Sequence, residues 1–102
     1  MNSLEQTSFT IIAQAGSAKS TYLDALEAAK QADVPKAQAL LVEGDQLLRT
    51  AHQAHMEVIT QEANGNTPPF SLLLVHAEDQ INTAEIIRIL VSELIELHTK
   101  TG

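Results

Sequence analysis

The side chains of this 102-residue chain that could do chemistry gather in one short segment: His76, Asp79, Gln80 and Thr83. Their spacings of three and four place all of them on one face of a helix. Imidazole is a good nucleophile near neutral pH, and carboxylate, amide and hydroxyl groups could support it. Burying such groups costs energy unless they are paired. Spacing alone therefore leaves two readings open, a polar layer that fixes register and oligomer number or a functional site.

The other candidates carry less. His52 and His55 lie three apart, and a His-x-x-His pair can bind a metal. No third ligand accompanies them, so ordinary surface or packing histidines are expected. His98 falls at the end of a helical pattern, beside carbonyls that favour positive charge. Asp24/Glu27 and Glu43/Asp45 read as solvated faces. There is no Gly-rich phosphate loop, no Ser-centred elbow and no carboxylate dyad with a cleft.

The elements that must position these groups are helical throughout. The only strong breaks are Asp33-Val34-Pro35 and Asn64-Gly65-Asn66-Thr67-Pro68-Pro69. A first helix is expected over about residues 4–32, with Phe9, Ile12, Gly16, Lys19, Leu23, Leu26 and Ala29 at helical spacing. Gly16-Ser17-Ala18 puts small residues in its middle, where a close approach to another helix is expected. Asp33 and Pro35 suit the start of a second helix. Its stripe of Leu40, Leu41, Leu47, Leu48, Ala51, Ala54, Val58 and Ile59 runs on to about Ala63, and Asn64-Gly65 supplies a left-handed stop. A third helix should open with Ser71 as N-cap and run to about His98. Three long helices on short links imply an all-α, antiparallel up-down-up three-helix bundle, a single domain over residues 1–102.

The third helix has more apolar surface than such a bundle needs. Glu78, Asn82, Glu85, Ser92, Glu93 and Glu96 share one polar arc, and apolar residues occupy well over half the circumference. Two seams result. Leu73, Ala77, Gln80, Ala84, Ile87, Val91 and Leu94 would face the first two helices. Leu72, His76, Asp79, Thr83, Ile86, Leu90, Glu93 and Leu97 would face the same helix of other subunits.

Composition narrows the field of functions. Cys is absent, which excludes disulfide scaffolds, thiolate metal sites and Cys nucleophiles. Aromatics are 3% and Trp is absent, so a base-stacking platform is not expected. The net charge is −7, from 6 Lys+Arg against 13 Asp+Glu, and the basic residues are scattered and form no patch for nucleic acid or anionic lipid. No apolar run approaches a membrane span and the N-terminus lacks a signal-peptide pattern, so an intracellular, cytoplasmic protein is expected.

Ser71-Leu72-Leu73-Leu74-Val75-His76-Ala77-Glu78-Asp79 resembles the signature of the lactose/cellobiose-type enzyme IIA components of the bacterial phosphoenolpyruvate-dependent sugar phosphotransferase system. Gly16-Ser17-Ala18-Lys19-Ser20, Ala28-Ala29-Lys30, Ala51-His52, Gln61-Glu62-Ala63 and Ile95-Glu96-Leu97 match in order, so the likeness spans about Ile11 to Leu97. The resemblance implies a homotrimeric bundle whose third helices meet at the centre. It implies that His76 is the phosphoacceptor, loaded by the phosphohistidine of HPr and unloaded onto a Cys of the cognate enzyme IIB. It further implies that Asp79 lies at the trimer axis, where three copies share one divalent cation, Mg²⁺. The sugar would be a β-linked disaccharide of the lactose, cellobiose or chitobiose class.

The chain departs from the family pattern, which reads His-Ala-Gln-Asp-His-Leu-Met where this chain has His76-Ala77-Glu78-Asp79-Gln80-Ile81-Asn82. Glu78 adds a negative charge, and Gln80 replaces a second His with a group that hydrogen-bonds but does not titrate. From spacing, Gln80 and Thr83 are candidate donors to a phosphoryl group on His76. The competing readings are a non-catalytic trimeric adaptor or regulator that keeps the fold, and a small metal-binding bundle.

Overall fold

The structure, a computed structural model, describes residues 2–101, and of Thr101 only its place in the last helix. Met1 and Gly102, the ends of the expected single domain, lie outside the described residues. Three helices account for nearly all of the rest: α1 (Ser3–Lys30), α2 (Val34–Ala63) and α3 (Leu72–Thr101). They run up, down and up in a rod of 52 × 22 × 19 Å.

Each helix ends where local chemistry ends it. Asn2 Oδ1 accepts from the Glu5 amide at 2.8 Å, satisfying a free N–H of the first turn of α1. At the other end Ala32 takes a left-handed φ of 62°, and the Asp33 amide donates back to Ala28 O at 2.9 Å. Asp33 then caps α2, its Oδ1 accepting from the Lys36 amide at 3.2 Å, with Pro35 in the first turn. Gly65, at φ 88°, closes α2, where a side chain would be strained. Ser71 Oγ accepts from the Leu74 amide at 3.2 Å and opens α3.

The helices are not equivalent. α1 packs along both α2 and α3, whereas α2 and α3 touch over much less of their length. A helix with two partners must let both come close, and α1 does so with small residues. Its buried side is Ser8, Ile11, Ala15, Ala18, Tyr22, Ala25, Ala28 and Ala29. The expected stripe was Phe9, Ile12, Gly16, Lys19, Leu23, Leu26 and Ala29, of which Ala29 is buried and Ile12 and Leu26 pack against the core. The buried side is turned by about one residue from it, leaving Phe9 and Leu23 half-exposed. Alanine gives little weight to either side of a hydropathy pattern, so the larger residues biased the reading.

The close approach expected at Gly16-Ser17-Ala18 falls on Ala18, which is fully buried, and not on Gly16. A Cβ built on Gly16 would meet nothing within 4 Å, whereas one on Gly44 would lie 2.5 Å from Tyr22 Cε1 and 2.8 Å from Cδ1. The tight crossing is thus between α1 and α2 at Gly44, where the largest fully buried side chain needs the space. Most of the α2 stripe is borne out: Leu48, Ala51 and Val58 are buried, with Ala37 and Gly44 beside them, and Leu40, Leu41, Leu47 and Ala54 pack against the core. Ile59 is half-exposed.

Candidate functional site

On α3 the residues that enter the core are Leu74, Ala77, Ile81, Ala84, Val91 and Ile95, with Ile87 packed against them. Ala77, Ala84, Ile87 and Val91 were expected there. Leu73 and Gln80 are only half-buried and Leu94 is exposed, so the inner seam is turned slightly from the expected one. The opposite side of α3 is wet in the single chain: Leu72 is 74% exposed, Ile86 58%, Leu90 56% and Leu97 58%. Val75 and Ile89 broaden this apolar face. A single chain of this size gains nothing by exposing so many large apolar side chains in a row.

His76 and Asp79 lie on the N-terminal half of that face, both exposed. Thr83 Oγ1 donates to the Asp79 carbonyl at 2.8 Å, back-bonding within the helix. This hydroxyl therefore serves the backbone of α3, one turn away from where its sequence position suggested. Gln80 is tied to α1, its Oε1 accepting from Lys19 Nζ at 2.6 Å. Lys19 is thereby brought to the turn of α3 that carries His76. Sequence reasoning placed Lys19 on an apolar stripe and gave it no role; its one signal was its place in Gly16-Ser17-Ala18-Lys19-Ser20.

The acidic arc of α3 is not simply solvated. Glu78 Oε2 meets His55 Nε2 at 2.8 Å and Glu85 Oε1 meets His52 Nε2 at 2.6 Å. His52 and His55 thus each face a carboxylate of α3 across the thinner α2–α3 junction. Among the described residues, no three His, Asp or Glu side chains gather to hold a metal. The extra charge of Glu78 is directed at α2, away from the exposed side of His76.

Asp45 was expected in a solvated pair with Glu43. Instead it joins all three helices. Tyr22 Oη donates to Asp45 Oδ1 at 2.6 Å, and Arg88 donates through Nε to Oδ1 at 2.6 Å and through Nη2 to Oδ2 at 3.1 Å. The two-pronged Arg88 contact, followed by the Tyr22 hydrogen bond, holds the Asp45 carboxyl below the usual range. Burial, and then the bond to Asp45, pushes the Tyr22 phenol well above its usual value. This network, two turns beyond the midpoint between His76 and Thr83, ties α3 to α1 and α2. With Leu74, Ala77, Ile81 and Ala84 buried on the inner side of α3, His76 and Asp79 face outward.

Asp79 offers a carboxylate, the ligand type that a hard cation takes, and no ion pair among the described residues occupies it. One chain supplies one such group, so a cation at Asp79 fits only where copies of the chain meet.

Comparison with known proteins bears on this arrangement. Residues 6–99 match the family model of the phosphotransferase system lactose/cellobiose-specific IIA subunit. The lactose-specific EIIA component of Staphylococcus epidermidis is 37% identical over 92 residues, covering 90% of this chain and 88% of that protein. The crystal structure of the cellobiose-specific enzyme IIA of Bacillus anthracis superposes with a TM-score of 0.95 at 34% identity, over 99% of this chain and 93% of that one. The IIA(chitobiose) protein of the Escherichia coli N,N'-diacetylchitobiose branch, solved in solution in complex with HPr, superposes with a TM-score of 0.86 at 35% identity, over 99% of this chain and 98% of that one. With the whole bundle matched and the His76–Asp79 segment in place on α3, the chain belongs to the lactose/cellobiose-specific IIA subunits of the sugar phosphotransferase system.

Proposed function

We propose that this chain is a phosphocarrier that takes a phosphoryl group from phospho-HPr onto His76 and hands it to a cysteine of its cognate enzyme IIB. The observation that carries the reading is an exposed imidazole on the wet face of α3, one turn from an unpaired carboxylate, in a IIA chain. The complex of the E. coli chitobiose relative with HPr supports the donor.

The chemistry asks little covalent work of the protein. A ring nitrogen of His76 attacks phosphorus with its lone pair, and an N–P bond forms. The bond to the donor's imidazole breaks, and its electron pair stays on that leaving imidazole. In the second transfer a thiolate of enzyme IIB forms an S–P bond, and the N–P electron pair returns to His76. Phosphoryl transfer of this kind depends on positioning and charge stabilisation, which a rigid helix supplies.

The wet face of α3 supports a homotrimer in which the third helices meet. Three Asp79 carboxylates brought to one axis would repel, and a shared Mg²⁺ held by them would offset that repulsion. The bundle is one domain, and no described helix is long and apolar enough to cross a membrane, which supports a cytoplasmic carrier between soluble donor and membrane-linked acceptor. The sugar is of the β-linked disaccharide class, in keeping with relatives of near-equal similarity that carry the lactose, cellobiose and chitobiose names.

Incubation with phosphoenolpyruvate, enzyme I and HPr, followed by intact-mass measurement, tests this. The chain should gain one acid-labile phosphate, and His76→Ala should gain none while keeping its helicity and assembly. A phosphate that survives His76→Ala, or maps to His52 or His55, defeats the assignment. No phosphate on the wild type leaves an adaptor that has kept the fold.

A further inference from the structure

Lys19 reaches from α1 to the α3 turn that carries His76, and its half-buried ammonium lies 2.6 Å from Gln80 Oε1. Among the described residues the other basic side chains are engaged elsewhere or lie apart. Lys30 pairs with Glu27, Lys100 with Glu96 and Arg88 with Asp45, while Arg49 acts on Asp45 and Lys36 sits in the first turn of α2. In a chain of net charge −7, Lys19 is the cation at the His76 turn.

The contact also decides how Gln80 is turned. An ammonium only donates, so the Gln80 atom it meets has to be the carbonyl oxygen. The amide N–H₂ then points away from Lys19. His76 precedes Gln80 by four residues, the spacing at which helix side chains are neighbours, with Cβ atoms roughly 5–6 Å apart. A phosphoryl group on His76 brings oxygens that need donors, and the turned amide is one.

We propose that Lys19 is a positioning residue for phosphoryl transfer: it locks Gln80 with its amide N–H₂ available to the phosphoryl oxygens on His76 and holds a positive charge beside them. The proposal rests on His76 being the phosphoacceptor. It gives the site a donor that does not titrate, at the position where the family pattern has a histidine. Asp79 on the same face and Glu78, paired with His55, are the carboxylates against which the Lys19 charge works.

Lys19→Met, Lys19→Arg, Gln80→Glu and the wild type are compared with phospho-HPr made from phosphoenolpyruvate and enzyme I. Lys19→Met should still gain one phosphate per chain at completion, but about tenfold or more slowly, since an aimed donor or charge at a reacting group is worth at least that. By phosphorus NMR the titration midpoint of its phosphohistidine should rise by about half a unit or more, because the dianion loses a cation. Lys19→Arg should restore most of the rate. Gln80→Glu keeps, and strengthens, the α1–α3 contact with Lys19 while removing the amide donor; it should be slow although the bundle is as stable as before. If Lys19 only ties α1 to α3, Gln80→Glu transfers at the wild-type rate and the NMR midpoint of Lys19→Met does not move, and either result overturns the proposal. Absence of phosphate from His76 in the wild type removes this proposal together with the function it rests on, and is distinguished by the wild-type mass alone.

Discussion

Replacing Leu90 with Asp separates folding from assembly. Leu90 is 56% exposed in the single chain, and Leu72, Ile86, Ile89 and Leu97 are exposed to 58–74%. Full burial of such a side chain contributes about 1.5–3 kcal/mol, so the exposed half of each leaves about 1 kcal/mol unrealised. Five of them amount to roughly 5 kcal/mol per chain, gained only if other copies cover the face. In the monomer, Leu90→Asp puts a carboxylate into water and costs nearly nothing. In a trimer it places three carboxylates in a dry, apolar stretch, and each uncompensated ion costs several kcal/mol even after relaxation. The loss exceeds what the face contributes, so Leu90→Asp should sediment as a helical monomer at concentrations where the wild type should sediment as a trimer. A wild-type monomer across the micromolar range would refute the argument from surplus apolar surface. So would a Leu90→Asp variant that still assembles, which would mean that the contact lies on another face.

The remaining tests address the bundle and the axis. Gly44→Ala should destabilise the fold by about 1–2 kcal/mol in urea titrations at fixed protein concentration, because the new Cβ would sit 2.5 Å from a buried ring held at its hydroxyl, and overpacking of about 1–3 kcal/mol outweighs a helix gain of about 1 kcal/mol. Gly16→Ala, whose Cβ meets nothing within 4 Å, should instead stabilise by up to about 1 kcal/mol; equal effects at the two sites would contradict the packing described. Asp45 has a depressed folded-state pKa, so its contribution is present above the unfolded carboxylate pKa and disappears as pH falls through the lower folded value; Asp45→Asn should flatten that acid limb of the stability–pH curve, and an unchanged limb would deny Asp45 the role. Chelator should weaken wild-type assembly more as pH rises, while Asp79→Leu should assemble without metal; assembly indifferent to chelator across the pH range would remove the cation from Asp79.

Much of the architecture was legible because helix ends are local. Asp33 with Pro35, Asn64 with Gly65, and Ser71 each announce a terminus through a cap or a backbone restriction acting within four residues. The wet face of α3 was legible too, since it is an excess that no arrangement of three helices absorbs. The rotation of α1 was not. Its core side is largely alanine, and alanine is equally at home in water and in a crossing, so Phe9 and Leu23 drew the expected stripe one residue off. Gly16 and Gly44 look alike in sequence and differ only in what stands across from them. The pairs Glu78–His55, Glu85–His52 and Arg88–Asp45 join residues 23, 33 and 43 positions apart. No local pattern encodes such partners, so Asp45, which meets Arg88 across the helices, was read as solvent-facing.

These cross-helix pairs explain why the outer face of α3 can afford its composition. The Tyr22–Asp45–Arg88 network and the two His–Glu pairs hold α3 against α1 and α2. They do so from its inner and flanking sides, leaving the outer side without structural duty in the single chain. That side divides along its length. Its C-terminal half carries Ile86, Ile89, Leu90 and Leu97, which need no partner chemistry beyond apolar cover. Its N-terminal half carries His76 and Asp79 beside the exposed Leu72 and Val75, with the hydrogen-bonded Lys19 and Gln80 at their flank. On the proposed function, a nucleophile that meets two different partner proteins in turn would have to stay reachable, while assembly would need a dry seam. Placing both on one rigid helix would let the proposed seam set the spacing of the proposed reactive ends without covering them.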